Sequence, residues 1–310
     1  MPSKTKIDAL ASASAERKSD AGVSLIASAW RRLRRNKVFL FGAGLIVAFV
    51  LLALFAPLLA PHDPKEAMLV DQVSAANNTI PPAQEGHPLG GDQVGRDLLS
   101  RLLLGSQQTL LVAFFATVIG LGGGLVLGVL AGALGGWVDS LVMRAVDVML
   151  SIPSLLLAVS IGALFAQANQ WSVIIAVAIV QVPIFARLLR GSMLAQRHSD
   201  HVLAARALGV KPGAIVFRHM LPNSLGPVIV QSTLVLAVAI IDAAALSFLG
   251  LGNPDDSIPE WGQMLGKAQD VIDSHPNLAF WPAGCIIVVA LGFTLCGEAL
   301  REALDPKNRR

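Results

Sequence analysis

Apolar and polar stretches alternate along this chain on a scale of tens of residues. Apolar runs lie at about 38–60, 110–133, 141–165, 171–188, 225–249 and 279–296. Each is close to or above the ~20 residues that a helix needs to cross a bilayer. Lipid offers no partner to a free backbone N–H or C=O, so segments of this kind cross as helices. The pattern predicts an all-α integral membrane protein with six transmembrane helices. Between them fall a polar head (1–37), a long loop (61–109), a hydrophilic stretch (189–223), a second long loop (250–278) and a short tail (299–310).

Composition agrees: 54% of residues are hydrophobic and only 15% charged, too little charge for the surface of a soluble domain of 310 residues. The formal charge of +3 is unevenly spread. Twenty of the 24 Lys and Arg fall in the head, the 189–223 region and its flank, the tail and Arg144. By the positive-inside rule this places both termini and the loop between helices 4 and 5 in the cytoplasm, and the two long loops outside. Residues 1 to about 25 are expected to be disordered. The run 38–60 exceeds the ~7–15 apolar residues of a signal peptide and is read as a retained span. The segment 89–105 is expected to be an interfacial amphipathic helix. Nothing here favours nucleic acid as a partner; membrane lipid is one.

Within the spans, Gly120, Gly124, Gly128 and Gly132 recur every four residues, which places them on one helix face where a second helix can approach closely. Arg144 and Asp147 are three apart, a spacing that lets them pair. Pro153 is expected to kink the third span. Asp242 is the deepest ionisable group and, with Asp147 and Arg144, a candidate pathway or gating residue, since charge in a span usually faces water or protein. Cys285 and Cys296 are eleven residues apart on one helix, roughly 16 Å of rise and too far for a disulfide. His198, His201 and His219 have no carboxylate or cysteine set beside them, so no metal site is expected. Asn77-Asn78-Thr79 fits a glycosylation pattern that carries no weight alone.

The most informative polar stretch is 187–223. It holds six Lys/Arg against the single acid Asp200. Ser199 and Asp200 are cap residues for a short helix, and Gly209 supplies a left-handed stop. Pro212 suits the start of a second helix, which Pro222 is expected to end. The order Ala204-Ala205, Gly209, then Leu221-Pro222-Asn223 resembles the "EAA" loop of ABC importer permeases. Further stretches are similar to the dipeptide/oligopeptide permease family: LGGDQVGRDLLSRLLLG (89–105), GGWVDSLVMRAVDVMLSIPSLLLA (135–158), ALSFLGLGNPDDSIPEWGQML (245–265) and LREALDP (300–306).

That resemblance implies a permease subunit of an ATP-driven importer for dipeptides or oligopeptides in the bacterial cell membrane. It implies a homologous second permease, two ATPase subunits holding ATP and Mg, and an extracytoplasmic binding protein. It also implies that Ala204, Ala205, Leu208, Gly209, Val216, Phe217, Leu221, Pro222 and Asn223 form the ATPase-coupling loop. Leu208, Val216 and Phe217 would be its apolar knobs. Leu203 stands where the family has glutamate, so an ionic contact from that position is lost. Relatives also carry nickel complexes, haem or glycosides. A gradient-driven secondary transporter is the different alternative, with Asp242 and Asp147 as proton sites. No catalytic residues are expected: the chain has no GxxxxGK[ST], GxSxG or HExxH, and no cofactor of its own.

Overall fold

The computed structural model describes residues 30–74 and 79–304. The segment expected to be disordered (1 to about 25), the Asn77-Asn78 pair and the last six residues of the tail lie outside the described residues. Nine helices from Lys37 onward organise what is described. They are α1 Lys37–Leu59, α2 Leu98–Leu134, α3 Gly136–Ser151, α4 Ser154–Gly162, α5 Gln170–Gln196, α6 Asp200–Ala207, α7 Pro212–Phe248, α8 Trp261–Ala268 and α9 Asn277–Leu304.

Five of these (α1, α2, α5, α7 and α9) are long and apolar enough to cross a membrane, and a sixth crossing exists if α3 and α4 count as one. The α2–α5 pair is the spine. Gly120, Gly124, Gly128 and Gly132 lie along its seam, where an added methyl would stand 2.8 Å from the Ala178 carbonyl, 2.9 Å from that of Val182, 3.0 Å from that of Ala186 and 3.0 Å from the Met193 Cβ, in that order. Glycine is required there by close approach, since each helix meets the other's backbone or Cβ. α7 packs across this pair and carries α9, which in turn holds α1. α1 is the least buried of the five long spans, with only 11% of its apolar window buried within the chain.

Three spans differ from the sequence expectation. The second is a 37-residue helix, about 55 Å long against a hydrocarbon core of ~30 Å. It begins at Leu98 because Asp97 caps it, accepting from the Ser100 N–H at 2.8 Å, so the expected interfacial piece is its first turns. The third is not one kinked helix over 141–165: α3 and α4 meet at 97°. Pro153 has no N–H to give and drives Ile152 into extended backbone (φ −91, ψ 131), which ends α3 outright. The fifth absorbs the second half of the polar stretch. Pro222 does not stop that helix, because the backbone takes a π turn over Ile215–Met220, with the Leu221 N–H bonded to the Val216 carbonyl, and then continues into the span. The π geometry is rare and takes its usual form here, a single turn set within a longer helix.

The end of the bundle that carries the long loops is closed by side chains from the stretches quoted above. Arg96 donates to the Asp92 carboxylate (2.8 Å), the Asp256 carbonyl (2.8 Å) and the Asp256 carboxylate (3.1 Å). Arg101, 2% exposed, donates to the carbonyls of Pro64 (3.0 Å) and Asp256 (3.1 Å) and sits 3.3 Å from Asp92. Lys267 also pairs with Asp256. Burial pushes the Asp256 carboxyl up, but Lys267 and Arg96 together hold it below its ordinary value. Arg96 and Arg101 are buried and each is met by carboxylate and carbonyl oxygens, the condition under which buried ions persist. Trp261 is fully buried and donates to the Leu102 carbonyl at 2.9 Å. Glu260 beside it accepts from the Ser247 hydroxyl at 2.7 Å, and burial pushes its carboxyl up to about 7.

Candidate functional site

The expected docking loop is built by α6 and the first turns of α7. α6 runs Asp200–Ala207 after Ser199, whose hydroxyl donates to the Gln196 carbonyl (2.6 Å) rather than accepting a cap bond. Gly209 has φ +74 and nothing near its missing side chain, so its role is conformational: only glycine takes that backbone without strain. Val202 and Ala205 are buried with Ile215 and Met220, in a cluster that continues through Phe185, Leu189 and Met193 of α5 and Val228 of α7. The loop is therefore a packed extension of the spine.

The outer side of the loop is apolar where solvent-facing residues would ordinarily be polar. Leu208 is 84% exposed, Phe217 62% and Leu203 47%. Val216 differs from the expectation of an outward knob, being half-buried and packed against the loop's own core. Ala204 faces out, Ala205 in, and Leu221 is half-buried. Pro222 is exposed, and Asn223 is tied down by donating to the His219 carbonyl at 2.6 Å. Arg206, Lys211 and Arg218 are exposed around the patch. Leu203, where the resemblance led to an expected glutamate, is a third exposed apolar side chain of the loop.

The candidate pathway residues fall in two places. Asp147 does not pair with Arg144: its partner is Arg187 of α5, while Asp139 takes Arg190. Two ion pairs thus tie α3 to α5, and Arg144 is left on the exposed side of α3. Ser140, Arg144, Asp147 and Ser151 are all exposed at spacings of four, three and four, one face of the helix. Asp242 is on α7, 8% exposed and without a hydrogen bond among the described residues. Gln181, 3% exposed, has both amide atoms unpartnered beneath Gly120.

One cluster was not anticipated. His62, His87 and Asp97 have donor atoms within 4.8 Å of one another. The two imidazoles stack at 4.3 Å, so their lone pairs run side by side rather than meeting at one point, unlike a metal's ligands. Asp97 also caps α2 while bonding His87 at 2.9 Å. The trio fastens the first long loop to the start of α2.

A membrane bundle with a rigid, apolar-tipped basic loop before its penultimate long helix defines a class. The profile of the family "Binding-protein-dependent transport system inner membrane component" matches residues 124–310. That of the "N-terminal TM domain of oligopeptide transport permease C" matches residues 24–82. The chain belongs to this family of ABC transporter permeases. It is a multi-pass inner membrane subunit, a transport component rather than an enzyme, of a system that includes an ATPase and a substrate-binding protein.

Relatives cover nearly the whole length. The chain is 43% identical to a dipeptide transport system permease protein of Alkalihalophilus pseudofirmus, over 90% of this chain and 89% of that one. It is 41% identical to a di/tripeptide transport system permease protein of Pseudomonas aeruginosa (90% and 91% covered). It is 36% identical to a glutathione transport system permease protein of Pectobacterium atrosepticum (90% of each). Among solved structures, an inward-facing form of the MetNI methionine ABC transporter shares the fold, with TM-score 0.53 and 21% identity over 67% of this chain and 96% of that one.

Proposed function

We propose that this chain is one of two homologous permeases in an importer of dipeptides or short oligopeptides, driven by two separate ATPase subunits that bind ATP and Mg. Both termini and the loop 199–223 then lie in the cytoplasm, and the Arg96/Arg101/Asp256 clasp lies outside, facing the binding protein. The names of relatives support peptide as cargo. The observation that carries the coupling role is mechanical. Phe217 sits in the π turn at the start of α7, and helix continues from that turn through the span to Phe248, the α-helical part alone rising about 42 Å at 1.5 Å per residue.

A push on Phe217 is therefore passed along one continuous helical segment toward the far end of α7, where Ser247 meets Glu260. The second contact, Leu208, is locked to the same body through Val202 and Ala205. ATP-driven closure of the ATPases draws the loop, and the bundle rocks to expose the path alternately on each side. The exposed polar face of α3 and the buried carboxyl of Asp242 are the groups on this chain suited to line that path, because charge facing lipid is costly.

Uptake of a labelled dipeptide by the complete complex in proteoliposomes tests the reading. Uptake is expected to require ATP and the binding protein and to survive an uncoupler. Uptake without ATP that collapses with the proton gradient would replace it with the secondary-transporter alternative.

A further inference from the structure

Immediately before α1 the chain reads Trp30-Arg31-Arg32-Leu33-Arg34-Arg35-Asn36-Lys37, five cations in seven residues, and no Asp or Glu occurs between residues 21 and 62. The backbone makes a helical turn at 30–33. Asn36 then interrupts it in extended conformation and restarts the helix by accepting from the N–H groups of Val38 (2.9 Å) and Phe39 (3.2 Å). The fold of this short cap buries one side chain, Leu33, at 5% exposure. Arg31, Arg32, Arg34, Arg35 and Lys37 are all exposed. Trp30 is 52% exposed, with the Arg34 guanidinium 5.4 Å from its ring centre.

The depth of this cap follows from α1. Its 23 residues rise about 34 Å, the thickness of a hydrocarbon core. Residues 30–37 therefore lie where headgroups begin, the level at which tryptophan settles. α9 runs alongside, with the Cys296 sulfur 3.8 Å from the Phe39 carbonyl, and brings Glu298, Arg301 and Glu302 to the same end. Glu298 is engaged by Arg301 within its own helix. The collar keeps a strong positive excess with these counted.

We propose that residues 30–37 form a binding site for the phosphodiester headgroups of anionic phospholipids, which holds α1 in place beside the bundle. Guanidinium forks match phosphate oxygens two at a time. A cation cluster directly beside a membrane helix gains attraction from each charge near an anionic surface. α1 has use for such an anchor, being the long helix least buried within the chain. The competing occupant of a basic surface is an acidic face of a partner protein.

The experiment uses the full complex in nanodiscs of phosphatidylcholine with a minor fraction of phosphatidylglycerol, and reads immobilised spin-labelled lipid of each kind. Wild type is expected to prefer phosphatidylglycerol. The variant R31Q/R32Q/R34Q/R35Q is expected to lose that preference by at least about tenfold, and R31K/R32K/R34K/R35K to keep most of it. In the unmodified protein the preference is expected to fall steeply with added chloride. Inorganic phosphate is expected to displace no more lipid than chloride of equal ionic strength. A preference that survives in the glutamine variant, or that ignores salt in wild type, overturns the proposal. So does displacement specific to inorganic phosphate, which marks a soluble-anion site, or loss of a co-purifying subunit with lipid selectivity unchanged, which assigns the collar to a protein.

Discussion

Phe217→Asp is expected to abolish ATP-driven uptake while the chain still inserts and accumulates. The side chain is 62% exposed, and substitutions at such positions usually change stability by less than ~0.5 kcal/mol. Its value lies in a groove on another subunit, where a buried aromatic anchor contributes about 2–4 kcal/mol. A carboxylate in its place also has to be desolvated. Coupling to the ATPase is therefore expected to weaken at least roughly thirtyfold, read as loss of co-purifying ATPase and of uptake together. Gly209→Pro is the companion test from the backbone side. At φ +74 a proline, fixed near −65°, cannot be built, so α6 has to reorient and Leu208 with it. Val216→Asp, by contrast, is expected to damage folding of the loop, because that side chain packs inward. Normal uptake in the Phe217 variant removes this loop from the mechanism.

Gly124→Ala is expected to destabilise the α2–α5 spine by about 1–3 kcal/mol or more, seen as a lower melting temperature of the purified protein and reduced yield. The added methyl overlaps the Phe185 Cβ and stands 2.9 Å from the Val182 carbonyl and 3.1 Å from the Ala186 nitrogen. None of these is the flexible end of a side chain, so the helices have to separate. Gly122→Ala is the control two residues away on the same helix: it is exposed, with nothing within 4 Å. That variant is expected to melt at or slightly above wild type, since alanine is the better helix former. Equal melting of the two variants contradicts the packing account.

The division between what the sequence disclosed and what it withheld has a physical basis. Apolar runs reveal membrane helices because the constraint is local: backbone groups must be satisfied within the segment. The glycine repeat, the Gly209 turn and the basic loop are local in the same sense. The 97° break after Ile152 was hidden because proline signals a disturbed helix without fixing its angle. The partner of Asp147 was hidden because Arg187 is 40 residues away, and the nearer Arg144 is available by spacing alone. The first turns of α2 read as an interfacial amphipath because Arg101 and Ser100 are polar. Arg101 is bound instead by Pro64 and Asp256, from two loops that sequence order keeps far apart, and Ser100 by Asp97 and the His62 N–H. Leu203 was read as the absence of a glutamate, yet it is an exposed leucine on the same loop as Leu208 and Phe217, and an apolar contact from it does not depend on charge.

The central claim is that loop 199–223 lies in the cytoplasm and is held by an ATPase, and a single cysteine at position 208 tests it most directly. In a background with Cys285 and Cys296 replaced by serine, Leu208→Cys in intact cells is expected to resist a membrane-impermeant maleimide. It is expected to react once the membrane is opened and the ATPase stripped away, and to cross-link to that ATPase in the assembled complex. Labelling from outside intact cells, or ready labelling in the assembled complex with no cross-link formed, contradicts the account.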